Sequence, residues 1–275
     1  MSRSAQSRRV RALGAVTAAV VLILLTARIP SAAELTTRTE LGRAVALGNG
    51  TARTYLTTVD GVPTELGVAI TEAALTGLPH HGGNSAPQPD GHTMFEHILP
   101  LPAGNPTAYR HVMLNWNPGG HEPPGIYDTP HFDIHFYTIG VEDRLAIDPA
   151  DKSFQQKAER RPSAELVPKG YVLPAPVGFP QMGVHWVDPT SPELNGKPFT
   201  STFIFGSWDG KVIFAEPMFT KAFLESKPRF TAPIPQPVRY ESAGMHPTAY
   251  SVKWEEGAKE YRIALTGLRE QEPLK

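Results

Sequence analysis

The chain of 275 residues contains no cysteine. That absence excludes disulfides, thiolate metal sites, cysteine nucleophiles and lipidated cysteine anchors. Cohesion must come from packing, with a bound metal or an oligomer as the remaining sources. Net charge is also small: 26 Lys and Arg against 27 Asp and Glu leave a formal charge of -1, which argues against nucleic acid or an anionic membrane as the main partner. A long apolar run is missing as well. The longest, Leu13 to Ala27, falls short of the roughly 20 residues needed to cross a bilayer, so no stable membrane insertion is expected. Neither a heptad nor an internal repeat is evident, and 28 prolines speak against a helical bundle.

What is present begins with an export signature over residues 1–33. Arg3, Arg8, Arg9 and Arg11 form a basic head, the short apolar run follows, and Ser31, Ala32 and Ala33 supply small residues at a cleavage site. The expected location is secreted, periplasmic or cell envelope, with retention as an uncleaved anchor as the alternative. Ser7-Arg8-Arg9 also suggests the twin-arginine route, although Arg11 stands where that signal carries an apolar residue. Removing the five signal arginines leaves 21 basic residues against 27 acidic ones, a formal charge of -6. The remaining stretch, 34–275, is long enough for one sizeable core.

That stretch reads as a single, mainly β domain, a sandwich or cupin-like barrel with a few short helices. Asn49-Gly50 between two extended runs in Arg43 to Val59 signals a hairpin. Strands are expected at His92–Leu99, Tyr109–Trp116, His131–Ile139, Val184–Trp186, Phe199–Phe205 and Lys211–Ala215. Helix is expected at Lys152–Arg161 and after the last of these strands, from Pro217 to Leu224. Leu66 to Leu78 reads as a short strand or a helix, and His80 to Gly91 as a loop. Residues 228–237 carry four prolines and read as an extended linker. Beyond it, Tyr250, Val252 and Trp254, then Tyr261, Ile263 and Leu265, alternate as the arms of a terminal hairpin.

The most informative stretch is Gly120 to Tyr137, G-H-E-P-P-G-I-Y-D-T-P-H-F-D-I-H-F-Y. Its second half alternates, so a strand would place His131, Asp133, His135 and Tyr137 on one face and Phe132, Ile134 and Phe136 on the other. The apolar set is a core face; the polar set could hold a metal ion. A strand rises about 3.3 Å per residue, which separates His131 from His135 by roughly 13 Å. One ion is therefore reached more easily by an i, i+2 pair, Asp133 with either histidine, unless a bulge shortens the span. Asp133 has three open roles: ligand, a group orienting a histidine, or an acid bonded to arginine.

Two further stretches carry chemistry. In Met182-Gly183-Val184-His185-Trp186, alternation turns His185 away from Val184 and Trp186, toward the cavity that His135 would face. In Phe214-Ala215-Glu216-Pro217-Met218 an acid interrupts an apolar strand. A buried lone carboxylate is costly, so Glu216 either faces solvent or has a histidine, arginine or metal as partner. His121 and Glu122 precede two prolines in a loop; either contributes to the site or simply belongs to a turn. His80, His81, His92, His97, His111 and His246 lie in no comparable cluster and read as surface or structural.

At Gly120–Tyr137, with M-G-V-H-W, F-I-F-G-S-W-D-G-K-V-I-F-A-E-P-M, and the terminal Y-S-V-K-W and Y-R-I-A-L-T-G-L, the chain resembles a family of exported bacterial proteins of Thermus and actinobacterial type, a domain of unknown function. The blocks span Tyr109 to Leu268. The resemblance implies an extracytoplasmic, oligomeric β protein and supplies no reaction. The architecture is also similar to cupin-type metal barrels, whose first motif has histidines at i and i+2. Here the order is His-x-Asp-x-His, so that comparison is an analogy of fold alone.

The metal candidates are thus His131, Asp133, His135 and His185, with Glu122 and Glu216 as acid, base or fourth ligand. A sulfur-free set suits Zn, Mn, Fe or Cu(II). With an open position the protein would be a secreted metal-dependent enzyme, hydrolase or oxygenase, on an unidentified small molecule. With a closed one it would be a non-enzymatic binding or assembly protein of the cell envelope, in which the cluster is structural.

Overall fold

Leu47 pairs with Gly50, so the chain reverses through the two residues Gly48 and Asn49, with Gly48 at a φ of 50°. Glycine takes that conformation at no steric cost. The computed structural model describes residues 35–272, and the expected export signal lies outside them. The chain first forms β1 (Thr37–Leu41), β2 (Val45–Leu47), β3 (Gly50–Val59) and β4 (Val62–Thr71), then a 3-10 turn at Glu72–Leu75. After a loop come β5 (Phe95–Leu99), β6 (His111–Asn117) and β7 (His131–Tyr137). The helices α1 (Val141–Leu145) and α2 (Phe154–Glu159) precede β8 (Val184–Trp186), β9 (Ser201–Trp208) and β10 (Lys211–Thr220). Last are α3 (Lys221–Glu225), β11 (Arg229–Pro233), β12 (Gly244–His246), β13 (Ala249–Glu255), β14 (Glu260–Thr266) and β15 (Arg269–Gln271).

Two antiparallel sheets result. One runs β1-β3-β4-β14-β13-β11 with β2 beside β3; the other runs β5-β6-β7-β10-β9-β8; β12 and β15 pair separately. Among the described residues neither sheet closes on itself, so the fold is a sandwich and the cupin-like barrel is set aside. Phe132, Ile134 and Phe136 of β7 enter one core with Val68, Ile70, Val252, Ile263 and Leu265 of the facing sheet, and all are fully buried. Each such side chain contributes roughly 1.5–3 kcal/mol of hydrophobic stabilisation. Along β7 every residue is buried. Its second face therefore meets protein rather than water, although it is His131, Asp133, His135 and Tyr137 that lie there.

Two local expectations are corrected. β10 extends past Ala215 through Pro217 to Thr220, and the helix expected from Pro217 is confined to Lys221–Glu225. The cause is visible in the ladders. From Phe214 to Phe219 β10 pairs with β9 without a break, including Pro217 with Phe203, whereas its pairing with β7 stops after Ala215–Phe136 and resumes at Met218–Asp133 in unchanged register. Proline has no N–H to donate, and the sheet absorbs that loss on the β7 side alone. Residues 229–233 of the expected linker form β11, paired with β13 at the sheet edge, where prolines are tolerated. Of the two readings of Leu66 to Leu78, strand holds as far as Thr71, at the end of the long strand β4, and a 3-10 turn follows at Glu72–Leu75. Among the described residues, no helix is long and apolar enough to cross a membrane.

Candidate metal centre

The outer face of the second sheet collects the polar side chains. Register places Asn117 beside His131, Asn115 beside Asp133 and Met113 beside His135. On the other side of β7, Met218 pairs with Asp133, and the unchanged register sets Glu216 opposite His135. His185 of β8 pairs with Gly206 of β9, which pairs with Phe214 of β10. A Cβ at Gly206 would collide with the Phe214 ring, so glycine lets that ring lie flat on the sheet. It packs 4.7 Å from His135 and 5.5 Å from His185.

Among the described residues two donor sets emerge, each able to present three ligand atoms to one ion: His135, His185 and Glu216; and His121, His131 and Asp133. In the first, Nε2 of His135 lies 3.3 Å from Oε2 of Glu216, and Nε2 of His185 lies 3.9 Å from the same oxygen. Neither His135 nitrogen and not Oε2 of Glu216 has a hydrogen-bond partner, although all are buried. Atoms that converge without bonding one another are what a cation would hold. Two ligands at 2.0–2.1 Å from a tetrahedral ion stand about 3.3 Å apart. Without a cation the set favours neutrality. Burial, then Asp133, pushes the Glu216 carboxyl well up. Burial pulls His135 well down, and His185 down to about 4.

The second set is held more rigidly. His131 donates from Nδ1 to the Thr129 carbonyl at 2.7 Å, and His121 donates from Nδ1 to the Glu122 carbonyl at 2.7 Å. Each imidazole is thereby oriented with Nε2 toward Asp133, at 3.0 Å from Oδ1 for His131 and 3.5 Å from Oδ2 for His121. Asn117 donates to Asp133 Oδ2 at 2.7 Å. Burial alone would raise the Asp133 carboxyl, but His131 and His121 outweigh it and hold it well below the usual carboxylate range. His121 is correspondingly raised, burial opposing and Asp133 prevailing. Gly120, at a φ of 75°, lets the loop close, with the His121 amide on the Tyr127 carbonyl at 3.2 Å.

Above the sheet lies a cavity of about 580 Å³. Asp133, His135, His185, Glu216 and His121 reach it from the floor, and its walls are largely apolar, Val172, Val177, Phe179, Leu194 and Ile204 among them. Among the described residues, no lysine or arginine lines it.

The expected site residues thus separate. His131 and Asp133 belong to one set, His135 and His185 to the other, so the two histidines of β7 do not share an ion. Glu216 joins His135. Glu122 is exposed at the cavity rim and belongs to neither set. The sequence left His121 open between the site and a turn, and it left His92 outside the site; Asn117 carried no signal at all. His92, which donates from Nδ1 to Asp90 Oδ1 at 2.5 Å, stands with its ring 5.3 Å from that of His121. Local pattern offered little signal for these, since loops and neighbouring strands bring them in.

Fold and site together describe a β sandwich with two His/carboxylate sets under an apolar cavity. Residues 58–116 match the profile of a family described as TTHB210-like, hypothetical protein TTHB210. The match is to an uncharacterised family, as the sequence resemblance implied, and its description names no activity. It runs from the end of β3 through β6, well under half the chain, and both donor sets lie outside it. No curated protein and no solved structure matches the chain.

Proposed function

We propose that the protein is an exported, metal-dependent enzyme acting on a small, uncharged and largely apolar molecule, with a divalent ion held by His135, His185 and Glu216. The observation that supports this best is the placement of unpartnered, buried donor atoms at the floor of a large apolar cavity. A structural ion is enclosed by four protein ligands, whereas a catalytic one keeps a position free. Three donors beneath an open volume of about 580 Å³ correspond to the second arrangement. The volume is that of a typical small-molecule site. Among the described residues its lining holds no lysine or arginine, so it lacks the permanent cation that would select an anionic substrate.

Zinc there would supply hydroxide at neutral pH; iron on two histidines and a carboxylate would supply an oxygen-activating centre. Elemental analysis of the purified mature protein tests the reading and separates the two chemistries. Stoichiometric zinc or iron lost on His185→Ala supports it. No metal in protein purified and then incubated with these ions would defeat it. A metal that binds no exogenous imidazole or azide would favour a closed, structural ion in a cell-envelope binding protein.

A further inference from the structure

The set formed by His121, His131 and Asp133 lies beside the proposed catalytic ion and requires its own account. Asp133 is 3% exposed, and its Oδ1 accepts no hydrogen bond. His131 approaches that oxygen to 3.0 Å with Nε2. Because Nδ1 of the same ring donates to the Thr129 carbonyl, a neutral His131 carries its proton there and turns a lone pair toward the carboxylate. His121 repeats this arrangement through the Glu122 carbonyl. Asn117 Nδ2 lies 3.3 Å from His131 Nε2 and 2.7 Å from Asp133 Oδ2, which relieves part of the repulsion between lone pairs and carboxylate. Oδ1 of Asp133, with Nε2 of His131 3.0 Å away, is left to a cation or an added proton. An imidazole fixed through its other nitrogen to a backbone carbonyl is the usual companion of metal ligation. Asn117, donating to Asp133 Oδ2 at 2.7 Å, fixes the carboxylate in the same way.

We infer that His121, His131 and Asp133 form a second divalent-cation site, so that the cavity floor holds two ions on neighbouring positions of β7. Asp133 and His135 are i and i+2 on one strand face, roughly 6.6 Å apart along the strand, and each anchors a different ion.

The test is stoichiometry in the full mature chain. Protein stripped with a chelator is titrated with Zn²⁺ by calorimetry, and with Co²⁺ as an absorbing probe. Two equivalents are expected in the wild type and one in His121→Gln, the survivor being the ion that His185→Gln removes. His121 lies on a partly exposed loop, so His121→Gln should fold; Asp133→Asn, nearly isosteric, is the second variant, and circular dichroism checks both. A wild type that binds one equivalent or fewer, or a His121→Gln that still binds two, overturns the second site. One equivalent lost in His185→Gln but kept in His121→Gln would leave the proposed function standing while removing this inference. One equivalent lost only in His121→Gln would defeat that function, and with it the two-ion floor.

Discussion

Glu216 and His135 face each other at the rung of the β7–β10 ladder that Pro217 leaves unbonded, Oε2 of one 3.3 Å from Nε2 of the other. A proline inside a central strand costs a ladder hydrogen bond. Here it lies next to the carboxylate, on the strand whose neighbour supplies the imidazole.

His135→Ala and His185→Ala should each lose the ion bound by their set while keeping β structure, since a rigid strand offers no replacement ligand. His246→Ala should keep it, because His246 donates to the Ser242 carbonyl and is no part of the cavity lining. Phe132→Leu, on the opposite face of β7, should lower the melting temperature and leave metal content unchanged. Metal analysis beside thermal melts checks all four.

Glu216→Gln should reverse sign with metal. In chelated protein it removes a buried carboxylate whose charge is costly, so stability should stay level or rise. In metal-loaded protein it removes a ligand, and affinity should fall at least 10- to 100-fold, the loss typical even for groups that only support ligands. Melts with chelator and with Zn²⁺ read both; a variant destabilised equally in each would contradict this account.

His111 gives a pH dependence independent of the ion. Its ring stacks on Tyr137 at 4.8 Å, and burial, then the nearby Arg144, lowers it from the ordinary 6.5 to about 4. Between those values the unfolded chain takes up a proton that the folded protein refuses. Its contribution is therefore fully present above pH 6.5 and is lost as pH falls toward 4, up to about 3 kcal/mol. His111→Phe keeps an aromatic ring on Tyr137 and should flatten the slope of denaturant stability across that window.

Gly206→Ala should displace the Phe214 ring, which lies where the new Cβ would go. That ring packs against both His135 and His185, so metal affinity should fall although no ligand is changed. Calorimetry on the variant is the measurement, and unaltered affinity would show that Phe214 does not position the imidazoles.

Export should be followed by cleavage after Ala33, with the mature protein beginning at Glu34. Mass spectrometry of the secreted species reads this directly, and an intact amino terminus in washed membranes would indicate an anchor.

Strict alternation in residues 131–137 was enough to divide β7 into a core face and a polar face, because side chains of any strand alternate. Asn-Gly placed the first hairpin and the paired aromatic and aliphatic residues placed the last, since both signals are local. The strand continuing through Pro217 was not legible: a proline usually ends pairing, and only a neighbour on the other side, β9, keeps this one in the sheet. β11 was hidden for a related reason, because prolines that suggest a linker are also tolerated at a sheet edge.

The sequence by itself determined that the chain is mainly β, free of thiol chemistry, and equipped with a polar face on one central strand. The tertiary structure decided which residues act together. Register across the broken rung joined Glu216 to His135, the pairing of β8 on β9 brought His185 to them, and a loop closed by Gly120 carried His121 to His131 and Asp133. Periodicity acts over a few residues, whereas a donor set depends on contacts between segments far apart in the chain, and those exist only once the sheet has formed.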